Sequence, residues 1–328
     1  MSELLNAGIK TEAKKPGEGA PYLSGLGKNA LEQPIVLLFV VGGFLAVSTI
    51  FAKAAPSFGW HPLALLQWSV LGGALGLFVV TRTVFRNSGK ETSLEKGNRK
   101  RLAIYLSVSG LLFIAPNMIA VVAAPKVGAG FVSLSFAFPL VLTYAIAVLL
   151  RLERLQLMMG SGVVFGLIGG VLLALSGSEL SDEASLWSLF ALSIPVFLAT
   201  GNIYRTIRWP VGAKPIDLAL GMMATGFIAL AVFTTLLGIP VLPASWTVGA
   251  IGLLTGQTLI FTIQYGLYFR LQQTAGPVYL SQIGSVAAVV GLGLGFLVFD
   301  EVPNLAKLAA AASVGAGVVL VTLGRRRA

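Results

Sequence analysis

The sequence predicts an all-α membrane protein of ten transmembrane helices, arranged as two inverted five-helix repeats. Three observations predict this. The chain has too few charged residues to cover a soluble fold, its apolar stretches place the basic residues on one side of a membrane, and parts of its first half recur in its second. Of 328 residues, 56% are hydrophobic and 11% charged, with mean hydropathy +0.87. Soluble domains carry about a quarter charged residues. A bilayer accepts the apolar faces that water would not.

Ten apolar stretches run along the chain. The first five are Ile35–Ala54, Leu63–Thr83, Leu102–Val122, Ala129–Leu150 and Leu155–Leu175. The second five are Leu186–Tyr204, Ile216–Leu237, Val248–Phe269, Val278–Phe299 and Leu305–Leu323. Each is about 20 residues long, enough to cross a hydrocarbon core of about 30 Å at 1.5 Å per residue. With the N-terminus inside, 20 of the 23 Lys and Arg residues fall on the inner side, and Lys53, Lys126 and Lys307 fall outside. That asymmetry is the positive-inside pattern, with both ends cytoplasmic, in a bacterial inner membrane. It also accounts for the net charge of +10 without nucleic acid. Segment 1–33 is polar and lacks an apolar h-region, so it is expected to be a disordered cytoplasmic tail and not a signal peptide. No cysteine is present, which excludes disulfides, cysteine metal sites and thiol nucleophiles.

The repeat appears twice. Phe44–Phe51 in span one matches Phe197–Tyr204 in span six at four of eight positions, with an aromatic at both ends. Gly128 to Glu153 runs through span four into an acidic turn, and Gly276 to Glu301 does the same through span nine, with Ser133 falling on Ser281. Two matches in the same order divide the chain into halves 34–176 and 177–328. Five is odd, so the second half enters from the opposite side. Inverted repeats are characteristic of secondary transporters, with the substrate site at the repeat interface.

The run Ala124-Pro125-Lys126-Val127-Gly128-Ala129-Gly130, the central Pro139 and the closing Leu152-Glu153-Arg154-Leu155 resemble the EamA-type repeat of the drug/metabolite transporter superfamily. Thr274-Ala275-Gly276-Pro277 and Asp300-Glu301-Val302 repeat the signature more loosely. The resemblance implies a ten-helix carrier working by alternating access, often as an exporter. It specifies no substrate. Two departures stand out: Gln67, Trp68 and Ser69 occupy the place where such repeats carry an Arg early in helix two, and Ala287 stands opposite Pro139.

Glycines at four-residue spacing, Gly162, Gly166 and Gly170 above all, predict close helix packing or sliding surfaces. Pro116, Pro139 and Pro195 inside spans predict kinks. Trp60, Trp187, Trp209 and Trp246 near span ends read as interface anchors. No Asp, Glu, Lys, Arg or His falls mid-span. Asp217, Glu153, Asp300 and Glu301 are the nearest acids, all at span ends. This expectation disfavours a highly charged substrate and proton coupling through a mid-span carboxylate.

The polar mid-span residues are therefore the candidate substrate-binding set. Asn117 lies midway in span three, and its repeat counterpart is Tyr265 beside Gln264 in span eight. Amide and phenol groups bind zwitterions or neutral metabolites without a fixed charge; they also serve plain interhelical bonding. Gln67 and Trp68, Asn202 and Tyr204, and Gln282 form a second tier. Ser133, Ser135, Ser281 and Ser285 either line the path or satisfy helix carbonyls. Trp68, Phe138, Tyr144 and Tyr265 offer aromatic walls for an apolar or cationic substrate. Glu153 and Glu301, in matching turns, either cap the following helix or form gate salt bridges. His61 is the sole histidine, a pH sensor or an ordinary loop residue. No catalytic dyad, metal-ligand spacing or nucleotide loop is present, so no enzyme, metal or cofactor is expected. The leading expectation is a carrier of small polar or amphipathic metabolites such as amino acids, with membrane lipids as a further partner. The alternatives are a flippase for a lipid-linked or lipid-headgroup substrate and a carrier of organic cations.

Overall fold

Apolar runs of this length satisfy their backbone groups within lipid only as helices, and helices are what form. The computed structural model describes residues 33–84, 96–150, 155–178, 182–302 and 304–326. The tail, Glu153 and the basic residues of the connecting segments 85–95 and 151–154 lie outside the described residues. The first half contains α1 (Pro34–Ala54), α2 (Pro62–Val84), α3 (Lys96–Val127), α4 (Ala129–Ser135), α5 (Pro139–Leu149) and α6 (Leu157–Ser178). The second contains α7 (Asp182–Ala191), α8 (Ile194–Ile207), α9 (Pro215–Leu236), α10 (Val248–Leu280), α11 (Ile283–Phe299) and α12 (Leu305–Arg326). Among the described residues there is no strand.

Among the described residues, seven helical stretches are long and apolar enough to cross a membrane, which fits a multi-pass integral membrane protein. Three shorter apolar stretches, Leu157–Gly166, Ile283–Phe299 and Leu305–Gly317, fall where spans five, nine and ten were expected. The outward faces are apolar: Leu75 and Val79 on α2, and Ile228 and Leu236 on α9, are exposed. Gln67, Ser69, Ser109, Gln257 and Gln264 are buried. This distribution suits lipid as the outer solvent.

Three expectations about individual spans change. Pro139 and Pro195 do not kink continuous helices. Each stands in the first turn of a new helix, where its missing N–H removes no helical bond, so span four divides into α4 and α5 and span six into α7 and α8. Of these three prolines Pro116 alone lies inside an unbroken helix, which also contains Pro125. Spans three and eight are longer than expected, at 32 and 33 residues. The helix α10 continues past Phe269 to a kink at Gly276 (φ 76°). Gly128, its counterpart in the repeat, also has positive φ, 93°. That region admits few residues with a Cβ.

Helix packing follows a regular pattern. α1 lies against α10 and α11, and α8 against α3 and α5. α2 lies against α9 and α10, and α9 also against α3. α4 meets α11, and α6 meets α12. The last pair is close because its residues are small: a Cβ on Gly317 would lie 2.7 Å from Gly162 O and 3.1 Å from Gly166 N. The glycine stripe of α6 is thus a packing surface at Gly162 and Gly166. Trp60 is not an interface anchor. It is 2% exposed, donates from Nε1 to Ala250 O at 3.0 Å and meets Trp246 edge to face. Trp246 is exposed, as an anchor should be. The His61 ring accepts a bond from Leu63 N at 3.3 Å, and burial lowers its pKa.

Candidate functional site

A cavity opens between the two halves. Its volume is about 50 Å³, well below the ~300–1,000 Å³ usual for small-molecule sites. Residues at helical spacing face it together. Phe113 and Asn117 come from α3, Gln264, Tyr265 and Tyr268 from α10, and Leu198 and Arg205 from α8. Leu45, Met222 and the helix junctions at Phe136 and Ile283 supply apolar wall.

The three leading sequence candidates, Asn117, Gln264 and Tyr265, meet in this lining. Asn117 Nδ2 donates to Phe113 O at 2.7 Å, which anchors the amide, and the Asn117 side chain also hydrogen-bonds with that of Tyr265. Tyr265 is wedged edge-on between Phe113 (4.8 Å) and Phe261 (5.3 Å). Gln264 is 2% exposed, and its Oε1 has no hydrogen-bond partner. A buried orphan acceptor costs about 1–3 kcal/mol, so this oxygen is held ready for a donor.

The structure moves one basic residue, Arg205, from the expected connecting segment into the last turn of α8, still short of mid-span. Arg205 is 3% exposed and lines the cavity. Its Nη2 donates to Asn202 Oδ1 at 2.9 Å and Tyr268 Oη at 2.8 Å, and its Nε to Gln272 Oε1 at 3.4 Å. Tyr268 in turn donates to Asn202 Oδ1 at 2.6 Å, and its ring lies beneath the guanidinium at 5.5 Å. Gln272 Nε2 donates to Asn202 O and Thr206 Oγ1, both at 3.2 Å. Asn202 Nδ2 reaches Ser281 Oγ at 3.2 Å, and Ser281 donates to Thr143 at 2.9 Å. A polar network therefore links α5, α8 and α10. Asn202 belongs to it as a positioning residue that holds Arg205.

The other second-tier candidates stand elsewhere. Gln67 Oε1 accepts from Thr234 at 2.6 Å, joining α2 to α9. Trp68 Nε1 donates to Val241 O at 2.6 Å. Tyr204 stacks on Tyr105 at 5.9 Å. Gln282 is buried at the N-cap of α11. None of these four lines the cavity. Replacing Gln67 by Met is expected to lower the thermal midpoint slightly, by an interhelical bond worth about 0.6 kcal/mol, and to leave flux unchanged. Parallel melting and counterflow measurements check this. Ser133 bonds Thr49 at 2.8 Å, and Ser135 bonds Phe131 O at 3.1 Å. The Ser285 hydroxyl is buried without a partner outside the lining. Phe138 and Tyr144 are buried core, and the Tyr144 hydroxyl accepts from Gln156 N.

Glu301 combines capping and ion pairing, although it does not cap the helix that follows. Its two carboxylate oxygens accept from Ala129 N at 2.9 Å and Gly130 N at 3.0 Å, the first turn of α4 in the other half. It also pairs with Lys53 at the end of α1, whose Nζ lies over the Phe299 ring at 4.3 Å. Asn304 caps α12 instead, accepting from Lys307 N at 2.9 Å. Burial pushes the Glu301 carboxyl up, but the bonds from Lys53, Gly130 and Ala129 outweigh it and hold the pKa below its ordinary 4.5. One carboxylate thus ties together the ends of α1, α4 and α11. Its counterpart Glu153 lies outside the described residues.

No family model matches the chain, and no curated protein matches it. A solved crystal structure, described only as that of a protein, has the same fold. It superposes with a TM-score of 0.59 at 19% identity, covering 90% of this chain and 99% of the other.

Proposed function

We propose that the chain is a secondary transporter of the drug/metabolite transporter superfamily, of EamA type, with ten transmembrane helices in two inverted halves. It moves small polar or amphipathic metabolites such as amino acids by alternating access, with both termini cytoplasmic in a bacterial inner membrane. The observation that carries this reading is the cavity. It lies between the halves, and Asn117 and Tyr265, at repeat-related positions, face it together. The packing supports the repeat. Exchanging each span of one half for its counterpart turns α1 on α11 into α8 on α5, α1 on α10 into α8 on α3, and α2 on α10 into α9 on α3, all of which occur. Positive φ at both Gly128 and Gly276 supports it too. A carrier also needs closure on one side of its site, and Glu301 supplies a tie at one end of the bundle. The organic-cation alternative is disfavoured, because the lining includes a guanidinium and, among the described residues, no carboxylate.

Counterflow of labelled amino acids in proteoliposomes tests this. Wild type is expected to show saturable exchange, and Asn117→Ala and Gln264→Ala to reduce it about tenfold or more with insertion unchanged. Saturable flux that neither variant alters would remove the central polar site. Absence of flux for every amino acid tried would reject that substrate class.

A further inference from the structure

Resting on the reading of the cavity as a carrier's central site, we propose that Arg205 is its anion-recognition residue. It takes the carboxylate or phosphate of a small amphipathic anion whose apolar part lies against Leu45, Phe113 and Leu198.

The argument starts from the cost of the charge. A buried ion loses several kcal/mol of hydration unless an opposite charge is beside it. Among the described residues no Asp or Glu is within ion-pairing distance of Arg205. Its partners are neutral: an amide oxygen from Asn202, another from Gln272 and the Tyr268 hydroxyl. These satisfy Nη2 and Nε and fix the plane of the guanidinium. Among the described residues Nη1 donates no hydrogen bond. Gly201 lies beside it, where a Cβ would come within 2.9 Å of Nη1. The absence of a side chain there leaves room around the unpaired donors. A planar cation held by neutral groups, with one nitrogen unpaired in a cavity wall, suits a forked anion such as a carboxylate or phosphate. Arginines engaged only in structural ion pairs have their counter-charge already.

A second observation is independent of Arg205. Gln264 Oε1 is buried and has no hydrogen-bond partner among the described residues of the same cavity, and the Asn117 amide lies in the same lining beside the Tyr265 hydroxyl. An anion bearing a hydroxyl or ammonium group would place its head on Arg205 and its donor on Gln264. The rest of the wall is aliphatic or aromatic. One fixed positive charge in an otherwise apolar site selects a monoanionic head on an apolar body over a polyanion.

The experiment uses the full chain, purified in detergent, and five probes that share a phenyl body: 3-phenylpropionate, phenylalanine, phenyl phosphate, phenylalaninamide and 3-phenylpropanol. Probe affinity is read from the rise in thermal midpoint, and flux from counterflow in proteoliposomes. Wild type is expected to be stabilised by the acids and not by the amide or the alcohol. A larger effect from the carboxylates than from phenyl phosphate assigns the natural head group as carboxylate, and the reverse order assigns it as phosphate. Arg205→Gln is expected to weaken anion binding about 100-fold, the loss typical of removing one partner of a buried charged pair. Arg205→Lys keeps the charge, loses the fork and is expected to weaken it about tenfold, so the prediction stands even if Arg205→Gln does not fold.

The proposal is overturned if the alcohol stabilises wild type as well as the acids do. It also falls if Arg205→Gln keeps the anion preference, or if no acid binds at millimolar concentration. Saturable flux of the amide or alcohol that survives Arg205→Gln would sink this assignment and keep the carrier. Arg205-dependent anion binding without flux of any bound probe would keep the assignment and sink the carrier.

Discussion

Gly284→Ala is expected to give a protein that no longer assembles as a stable bundle. A Cβ at Gly284 would lie 1.4 Å from Phe136 O and 2.4 Å from Phe136 C. Both atoms are backbone, so no side chain can swing aside. Either the first turn of α11 moves away from the junction between α4 and α5, or that junction deforms. Overpacking a close contact costs about 1–3 kcal/mol when side chains can adjust, and here the cost exceeds that range. The cavity suffers as well, since Phe136 and Ile283 both line it. Thermal unfolding and size-exclusion profiles in detergent check the expectation. The control is Gly293→Ala in the same helix, where a Cβ meets nothing within 4 Å. It is expected to be neutral or to stabilise by up to about 1 kcal/mol through helix propensity. Equal melting of the two variants would show that the junction is looser than its geometry requires.

Glu301→Gln is expected to loosen the end of the bundle where α1, α4 and α11 meet. The substitution keeps one carbonyl acceptor, replaces the other oxygen by an NH2 that cannot accept from Ala129 or Gly130, and removes the charge that holds Lys53. Hydrogen bonds to charged groups are worth about 2 kcal/mol, and a loss of that size is expected in the thermal midpoint. The chain has no cysteine, so a single introduced thiol reports without background. Ser133→Cys places it on a residue that is fully buried, four residues beyond Ala129. Its labelling by an impermeant maleimide is expected to rise about tenfold with Glu301→Gln. The pH dependence has a definite sign. The folded protein holds Glu301 below its ordinary 4.5, so its contribution is complete above about that pH and is lost as pH falls through the folded value. The midpoint difference between wild type and Glu301→Gln should be constant near neutrality and shrink only below about pH 4.5. A difference that does not depend on pH would mean the charge contributes nothing.

Much of the architecture was legible because lipid imposes one rule on every span, and hydropathy reads that rule directly. The leading candidates were legible for a related reason. Asn117, Gln264 and Tyr265 are polar groups inside otherwise apolar runs, which cost free energy unless they are used. Arg205 was missed because a hydropathy window treats a buried charge and a loop charge alike. Arg205, Arg208, Trp209 and Pro210 follow one another, so span six was ended at Tyr204, one residue too early for the network to be seen. Span eight was ended at Phe269 in the same way, which consigned Gln272 to a loop although α10 runs on to Leu280. A signal was present: Asn202, Arg205 and Thr206 are spaced to share one helical face. Glu301 was recognised as a cap or an ion pair, but its true partners lie 171 and 172 residues away at Gly130 and Ala129, a distance that local capping rules do not span.

The Glu301 tie has a consequence for how the two faces of the membrane present the site. If it favours the closed arrangement of its end by about 2 kcal/mol, the arrangement open at that end is populated at only a few per cent. A solute approaching from that side then meets a competent site in only that fraction of molecules. Its apparent affinity is weakened about thirtyfold relative to the opposite face, although every contact in the cavity is the same. The final concentration ratio is unaffected, because equilibrium does not depend on the path. A pair of side chains remote from the cavity would therefore set the concentration at which each face saturates, and weakening the pair would make the two faces more alike.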